Sequence, residues 1–124
     1  MISVCMATYN GEHFIKEQID SILPQLSQDD ELIISDDGST DRTLEIIASY
    51  NDERIKVFHH QKKGNKYYPM LKVCYSTRNF ENALKQAKGD YIFLCDQDDI
   101  WEKNKVSESL ELLKQYDCVF HNFS

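Results

Sequence analysis

The sequence predicts an α/β fold: a mostly parallel β-sheet with helices on both faces. Three observations predict it. Five short apolar runs are distributed along the 124 residues. Most are nearly continuous in apolar residues rather than alternating, which suits strands covered on both sides. Helical patterns lie between most of them, so strands and helices alternate as in βαβ units with right-handed crossovers.

The first run, Ile2 to Thr8, reads as a strand, and Ile15, Ile19, Ile22 and Leu23 after it share one helical face that Pro24 ends. Glu31 to Asp36 is the second strand. Ser39 and Thr40 are cap candidates for the next helix, with Asp41 in its first turn and Leu44, Ile47 and Ala48 as its apolar face. Arg54 to His59 is the third strand. His60 to Arg78 carries five basic residues and no acidic one, and reads as a long connection. Phe80, Ala83, Leu84 and Ala87 then form a third helical face, with Gly89 placed as its C′ residue. Asp90 to Cys95 is the fourth strand, Val106, Leu110 and Leu113 mark a fourth helix, and Cys118 to Asn122 is a fifth strand.

This length fits one domain with a single core. A formal charge of −7 argues against a nucleic-acid binder. No apolar stretch approaches a membrane span, and the N-terminus shows neither the basic region nor the cleavage site of a signal peptide. Cys5, Cys74, Cys95 and Cys118 form no C-x-x-C pair, so free thiols in a reducing cytoplasm are expected rather than zinc.

In parallel sheets, ligands sit at the carboxyl ends of the strands. Three polar clusters fall at such ends: Ala7-Thr8-Tyr9-Asn10-Gly11, Asp36-Asp37-Gly38-Ser39 and Asp96-Gln97-Asp98-Asp99. Asp96 and Asp98 point the same way if the chain stays extended, and could share a divalent cation whose far side meets a phosphate. The alternative is a solvated turn. A carboxylate of Asp36 or Asp37 could accept from a base or ribose. Helix capping competes for that role, but Ser39, Thr40 and Asp41 already serve it. Tyr9 could stack on a base, and Asn10 and Gly11 suit a tight turn. His59 and His60 read as a loop-edge pair, because neighbours on a strand point opposite ways. Trp101 packs either on the core or near a bound ligand.

These residues, in this order, resemble the nucleotide-sugar-binding half of family 2 glycosyltransferases. The resemblance rests on Ser3 to Gly11, Glu31 to Asp41, Ala87 to Ile92 and Asp96 to Trp101, and covers essentially the whole chain. It implies a GT-A, Rossmann-like nucleotide-binding fold. The Asp-Gln-Asp-Asp-Ile-Trp form is similar to enzymes of bacterial capsule and O-antigen assembly, some of which transfer rhamnose. The resemblance further implies that Ala7 and Tyr9 line the base pocket and that Asp37 accepts from the imide N–H of uracil or thymine. Asp96 and Asp98 would be the metal-binding D-x-D pair for Mn2+ or Mg2+, with Asp99 an alternative direct ligand. The donor would be a UDP-sugar or dTDP-sugar, the acceptor a saccharide or lipid-linked saccharide, and the reaction a single inverting displacement. The site would face the cytoplasm, at the inner face of the cell membrane if the acceptor is lipid-linked.

Two features depart from the family pattern. The basic segment Gln61 to Thr77 is longer than the usual connection; it reads first as a solvated loop, and its lysines could also help hold diphosphate or touch an anionic membrane in a peripheral association. The sequence also ends at Ser124, before the part that in the family supplies the acceptor pocket and the general base, so residues 1–124 are expected to bind donor while the base lies downstream. A donor-binding module without transfer activity is the near alternative. A response-regulator receiver domain is a more distant one, disfavoured because it needs an acidic pair after the first strand, where Ala7 to Asn10 stand, and a lysine after the fifth. A D-x-D phosphatase would need its motif after the first strand.

Overall fold

In the computed structural model, residues 1–60, 72–96 and 100–116 are described, with only the backbone of 72–77. The expected fifth strand at Cys118–Asn122 lies outside those residues, as do Asp98 and Asp99 and the part of the basic segment before Lys72.

Strand β1 (Ile2–Thr8) is buried along its whole length and forms the axis of the sheet. It pairs in parallel with β2 (Glu31–Asp36) on one side and with β4 (Tyr91–Asp96) on the other, and β3 (Ile55–His59) pairs in parallel with the outer side of β2. The order is therefore β3-β2-β1-β4. Chain order runs outward from β1 to β3 and then jumps back to the far side of β1, so strand direction of travel reverses there. This matches the 3-2-1-4 order of dinucleotide-binding sheets and differs from the 2-1-3 order of receiver-type sheets, which removes the receiver alternative.

The helices follow from that order. Right-handed crossovers that advance one way put their helices on one face, and the reversed crossover puts its helix on the other. Accordingly α1 (Ile15–Ile22), α2 (Thr43–Ser49) and α4 (Lys105–Leu113) share the larger core with Val4, Met6, Leu32, Ile34 and Phe93, while α3 (Lys72–Gln86) covers a smaller one around Cys5, Ile33 and Ala83. Ile15, Ile19 and Ile22 are completely buried; each such side chain stabilises the fold by about 1.5–3 kcal/mol. Pro24 sits in a short 3-10 turn, Leu23–Gln25, directly after α1, as its missing N–H requires.

Several local expectations are corrected. Helix α3 begins at Lys72, so the last seven residues of the segment read as connection are helical. In α2, Ala48 faces solvent and Thr43 is buried in its place. Gly89 is not a C′ residue with positive φ, since α3 ends at Gln86. Its need is space: a Cβ there would lie 2.7 Å from both N and Oγ of Ser3 and 2.8 Å from the Met1 carbonyl. That close approach lets the Gly89 amide donate to Ser3 Oγ at 2.8 Å.

The opposite, amino-terminal end of the sheet is closed by Glu31, which is almost fully buried. It accepts from Ser3 Oγ at 2.6 Å, Lys56 Nζ at 2.8 Å and the Lys88 amide at 2.8 Å. Burial alone would raise this carboxyl; the lysine, the hydroxyl and the amide together outweigh it and hold it below its ordinary 4.5. Cys5 is pushed the other way, to about 11, by burial and then by the Glu31 charge, so it is a protonated core thiol.

Candidate donor-binding site

The register places the polar clusters side by side. Ala7 of β1 lies level with Ser35 of β2 and Asp96 of β4, and Thr8 lies level with Asp36. Neighbouring strands stand ~4.8 Å apart, so the ends of β2 and β4 face each other across β1 at about 10 Å. That is comparable to the reach from a pyrimidine base across its ribose to a phosphate. Strand order reverses at β1, and in open parallel sheets such a reversal is where a ligand crevice falls.

The loops after β1 and β2 are bound into one unit. Asn10 adopts φ 46°, in the left-handed region that asparagine tolerates. Its side-chain oxygen accepts from the Thr40 amide at 2.8 Å, and its own amide donates to Ser39 Oγ at 2.9 Å. The Gly11 amide donates to Thr43 Oγ1 at 2.9 Å and the Glu12 amide to Asp41 at 3.1 Å. Asp41 also accepts from the amide and the hydroxyl of Thr43. Burial would raise the Asp41 carboxyl, but these bonds prevail and hold it below 3.8. Asp41 therefore does the capping expected of Ser39 and Thr40, and α2 starts one turn later than those residues suggest.

Asp36 and Asp37 have different surroundings. Asp36 is fully buried, and its carboxylate accepts from Thr8 Oγ1 at 2.7 Å, Ser39 Oγ at 2.6 Å, the Ser39 amide at 2.8 Å and the Gly38 amide at 3.1 Å. Those bonds match its full lone-pair capacity. Gly38 takes φ 81°, where only glycine is unstrained, and this turns the chain back over the carboxylate. Asp37 continues the sheet: its amide donates to the Thr8 carbonyl at 3.0 Å. Its Oδ1 lies 3.0 Å from His60 Nδ1, and its side chain is 5 % exposed. The His60 amide in turn donates to the Asp36 carbonyl at 2.8 Å.

The remaining sequence candidates divide. Tyr9 is 45 % exposed at the lip, a position from which a ring can meet a ligand, and Ala7 is buried in the floor. Asp96 ends β4 on the far lip, while Asp98 and Asp99 follow outside the described residues. Trp101 is a core residue: it is 4 % exposed, its ring lies 5.7 Å from that of Phe93, and Lys105 Nζ stands 4.7 Å from its centre. Two residues of this edge escaped the sequence reading. Asn79 of α3 is buried and donates to the Thr8 carbonyl at 3.2 Å, clamping the end of β1 from the other face. His60 meets Asp37, and no local pattern announces it.

A parallel α/β sheet with its polar loops gathered where strand order reverses is a Rossmann-like architecture, and comparison with known proteins gives its family. The model of "Glycosyl transferase family 2" matches residues 3–123, and the chain belongs to that family. It is 34% identical over 120 residues to the E. coli UDP-Glc:alpha-D-GlcNAc-diphosphoundecaprenol beta-1,3-glucosyltransferase WfgD, covering 97% of this chain and 44% of the relative. It is 37% identical over 120 residues to the Shigella flexneri dTDP-rhamnosyl transferase RfbG, covering 94% and 38%. Among solved structures, S. aureus TarS 1-349 in complex with UDP superposes with a TM-score of 0.72 at 29% identity, covering 94% of this chain and 32% of that one. Glucosyl-3-phosphoglycerate synthase from Mycobacterium tuberculosis, bound to Mn2+, UDP and glucosyl-3-phosphoglycerate, gives 0.63 at 26%, covering 93% and 40%. The chain thus spans less than half the length of these relatives. No helix among the described residues is long and apolar enough to cross a membrane.

Proposed function

We propose that the protein is a glycosyltransferase that takes sugar from a UDP-sugar or dTDP-sugar and passes it to a saccharide or lipid-linked saccharide in surface polysaccharide biosynthesis. One observation carries the reading: Asp37 and Asp96 stand on opposite lips of one crevice, both in register with the end of β1. The donors named for WfgD and RfbG, and the UDP bound to TarS, support the same assignment.

Each residue then has a chemical task. A carboxylate only accepts hydrogen bonds, so Asp37 matches the imide N–H of uracil or thymine and mismatches cytosine, whose corresponding nitrogen is an acceptor. Tyr9 offers a ring for stacking on the base, and Ala7 keeps the floor low. Asp36 shapes the loop and is assigned no ligand contact of its own. Asp96 and Asp98, with Asp99 as alternative, would offer carboxylate oxygens, the ligand type that suits Mn2+ or Mg2+. When bound, such a cation neutralises the departing diphosphate. The sugar transfers in one inverting displacement, and no residue of the crevice is assigned the base that activates the acceptor hydroxyl. The reaction takes place in the cytoplasm, at the membrane face where a lipid-linked acceptor is presented.

Calorimetry with UDP and dTDP, in the presence of Mn2+ or Mg2+ and again with chelator, tests the reading. Metal-dependent binding of either nucleotide is expected, and Asp98→Asn is expected to lose the metal dependence while keeping nucleoside affinity. A folded sample that binds neither nucleotide refutes the donor site.

A further inference from the structure

We infer that His60 is the positioning residue for base recognition: it holds the Asp37 carboxylate in the orientation that reads a uracil or thymine ring. The inference rests on the donor-site reading above and adds to it a residue that no sequence pattern marks. The geometry is set by the backbone on both sides. Asp37 and His60 each stand one step past the end of adjacent parallel strands, β2 and β3. Each backbone is pinned there by one more ladder-like bond, Asp37 N to the Thr8 carbonyl and His60 N to the Asp36 carbonyl. The imidazole therefore reaches the carboxylate by register, with Nδ1 at 3.0 Å from Oδ1. The two side chains are only 19% and 5% exposed, so water competes poorly for the bond.

The chemistry of the pair fixes its direction. Asp37 as a carboxylate cannot donate, so Nδ1 carries the proton and donates, which selects that tautomer of the ring. A carboxylate reads an imide N–H well only if it is ionised and its rotation about the Cβ–Cγ bond is arrested, because its lone pairs lie in the plane of the group. His60 supplies the second condition: it donates into one oxygen and stops the rotation, which fixes the directions of the remaining lone pairs. Selectivity for uracil over cytosine is thus expected to depend on His60 although the ring need never touch the nucleotide.

The test compares binding of UDP, CDP and inorganic pyrophosphate in Mn2+ by the unaltered protein, His60→Ala and His60→Asn, each checked for folding by circular dichroism. Loss of a positioning bond to a charged acceptor predicts that His60→Ala weakens UDP about tenfold, leaves pyrophosphate unchanged and narrows the UDP-to-CDP ratio. In His60→Asn the side-chain amide donates from nearly the same place as Nδ1, so most of the ratio should return. UDP affinity in His60→Ala equal to the original overturns the inference, as does an equal loss for UDP and pyrophosphate, or a failure of asparagine to rescue. Failure of the unaltered protein to bind UDP or dTDP at all overturns the donor-site reading itself, and this inference with it.

Discussion

Replacing Asp36 with alanine tests whether this carboxylate builds the donor loop. Its four acceptor bonds join Thr8 on β1, the Gly38 turn and Ser39. A hydrogen bond to a charged group contributes about 1.5–3 kcal/mol net, and a buried donor left without a partner costs about 1–3 kcal/mol. The four do not add in full: the Gly38 and Ser39 donors are only partly buried and regain water, whereas the Thr8 hydroxyl is buried and does not. Counting the Thr8 bond whole and the other three at roughly half gives a loss of about 4–7 kcal/mol. Against a typical stability of about 5–15 kcal/mol for a domain, that is a large fraction. Ser39→Ala, which removes one donor to Asp36 and the acceptor for the Asn10 amide, sets an internal scale of about 1–2 kcal/mol. Urea unfolding followed by far-ultraviolet circular dichroism measures both. If Asp36→Ala unfolds within about 1 kcal/mol of the original, the carboxylate is not holding the loop and the division of labour between Asp36 and Asp37 is wrong.

Two further outcomes follow from the other end of the sheet. Glu31 has a folded pKa below its unfolded value near 4.5, so its contribution is present above that value and fades as pH falls through the lower, folded one. Urea midpoints measured from pH 6 to pH 3 should drop for the original protein, and the drop should be shallower in Glu31→Gln, which has no proton to take up. Gly89→Ala pushes a methyl against the Ser3 amide and the Met1 carbonyl, backbone atoms that cannot swing aside. A loss of about 1–3 kcal/mol is expected, with nucleotide binding per folded molecule intact because the clash is remote from the crevice; a neutral result in thermal melts would mean that this end of β1 yields freely.

The sequence made the strands and the crevice legible because both rest on local signals. Continuous apolar runs such as Leu32-Ile33-Ile34 announce buried parallel strands, and the polar clusters that end them are the ones the register sets side by side. Asp37 stood out because Ser39, Thr40 and Asp41 already sufficed for a helix start. What stayed hidden depends on register. His59 and His60 are adjacent, and only the β2–β3 pairing decides which of them arrives beside Asp37, 23 residues earlier in the chain. Asn79 and Thr43 were hidden for the same reason. Each looks like an ordinary polar helix residue until α3 and α2 dock and bring its side chain to Thr8 or Gly11. The start of α3 was hidden because the basic run from His60 to Arg78 reads as one connection, whereas its last seven residues belong to the helix.

The reversal of strand order at β1 has a mechanical consequence. The residue proposed to read the base and the first of those proposed to hold the cation come from strands that never touch, and seven residues, Ile2–Thr8, are all that stand between them. β1 therefore acts as a gauge block, setting the span that the proposed donor would bridge. A substitution that slid β1 along either neighbour would alter that span without touching any group that meets the ligand, and would show itself as a preference for a longer or shorter molecule. Changes of donor length and changes of base identity are thus separable in this architecture: the first is written in the packing of β1, the second in the few side chains around Asp37.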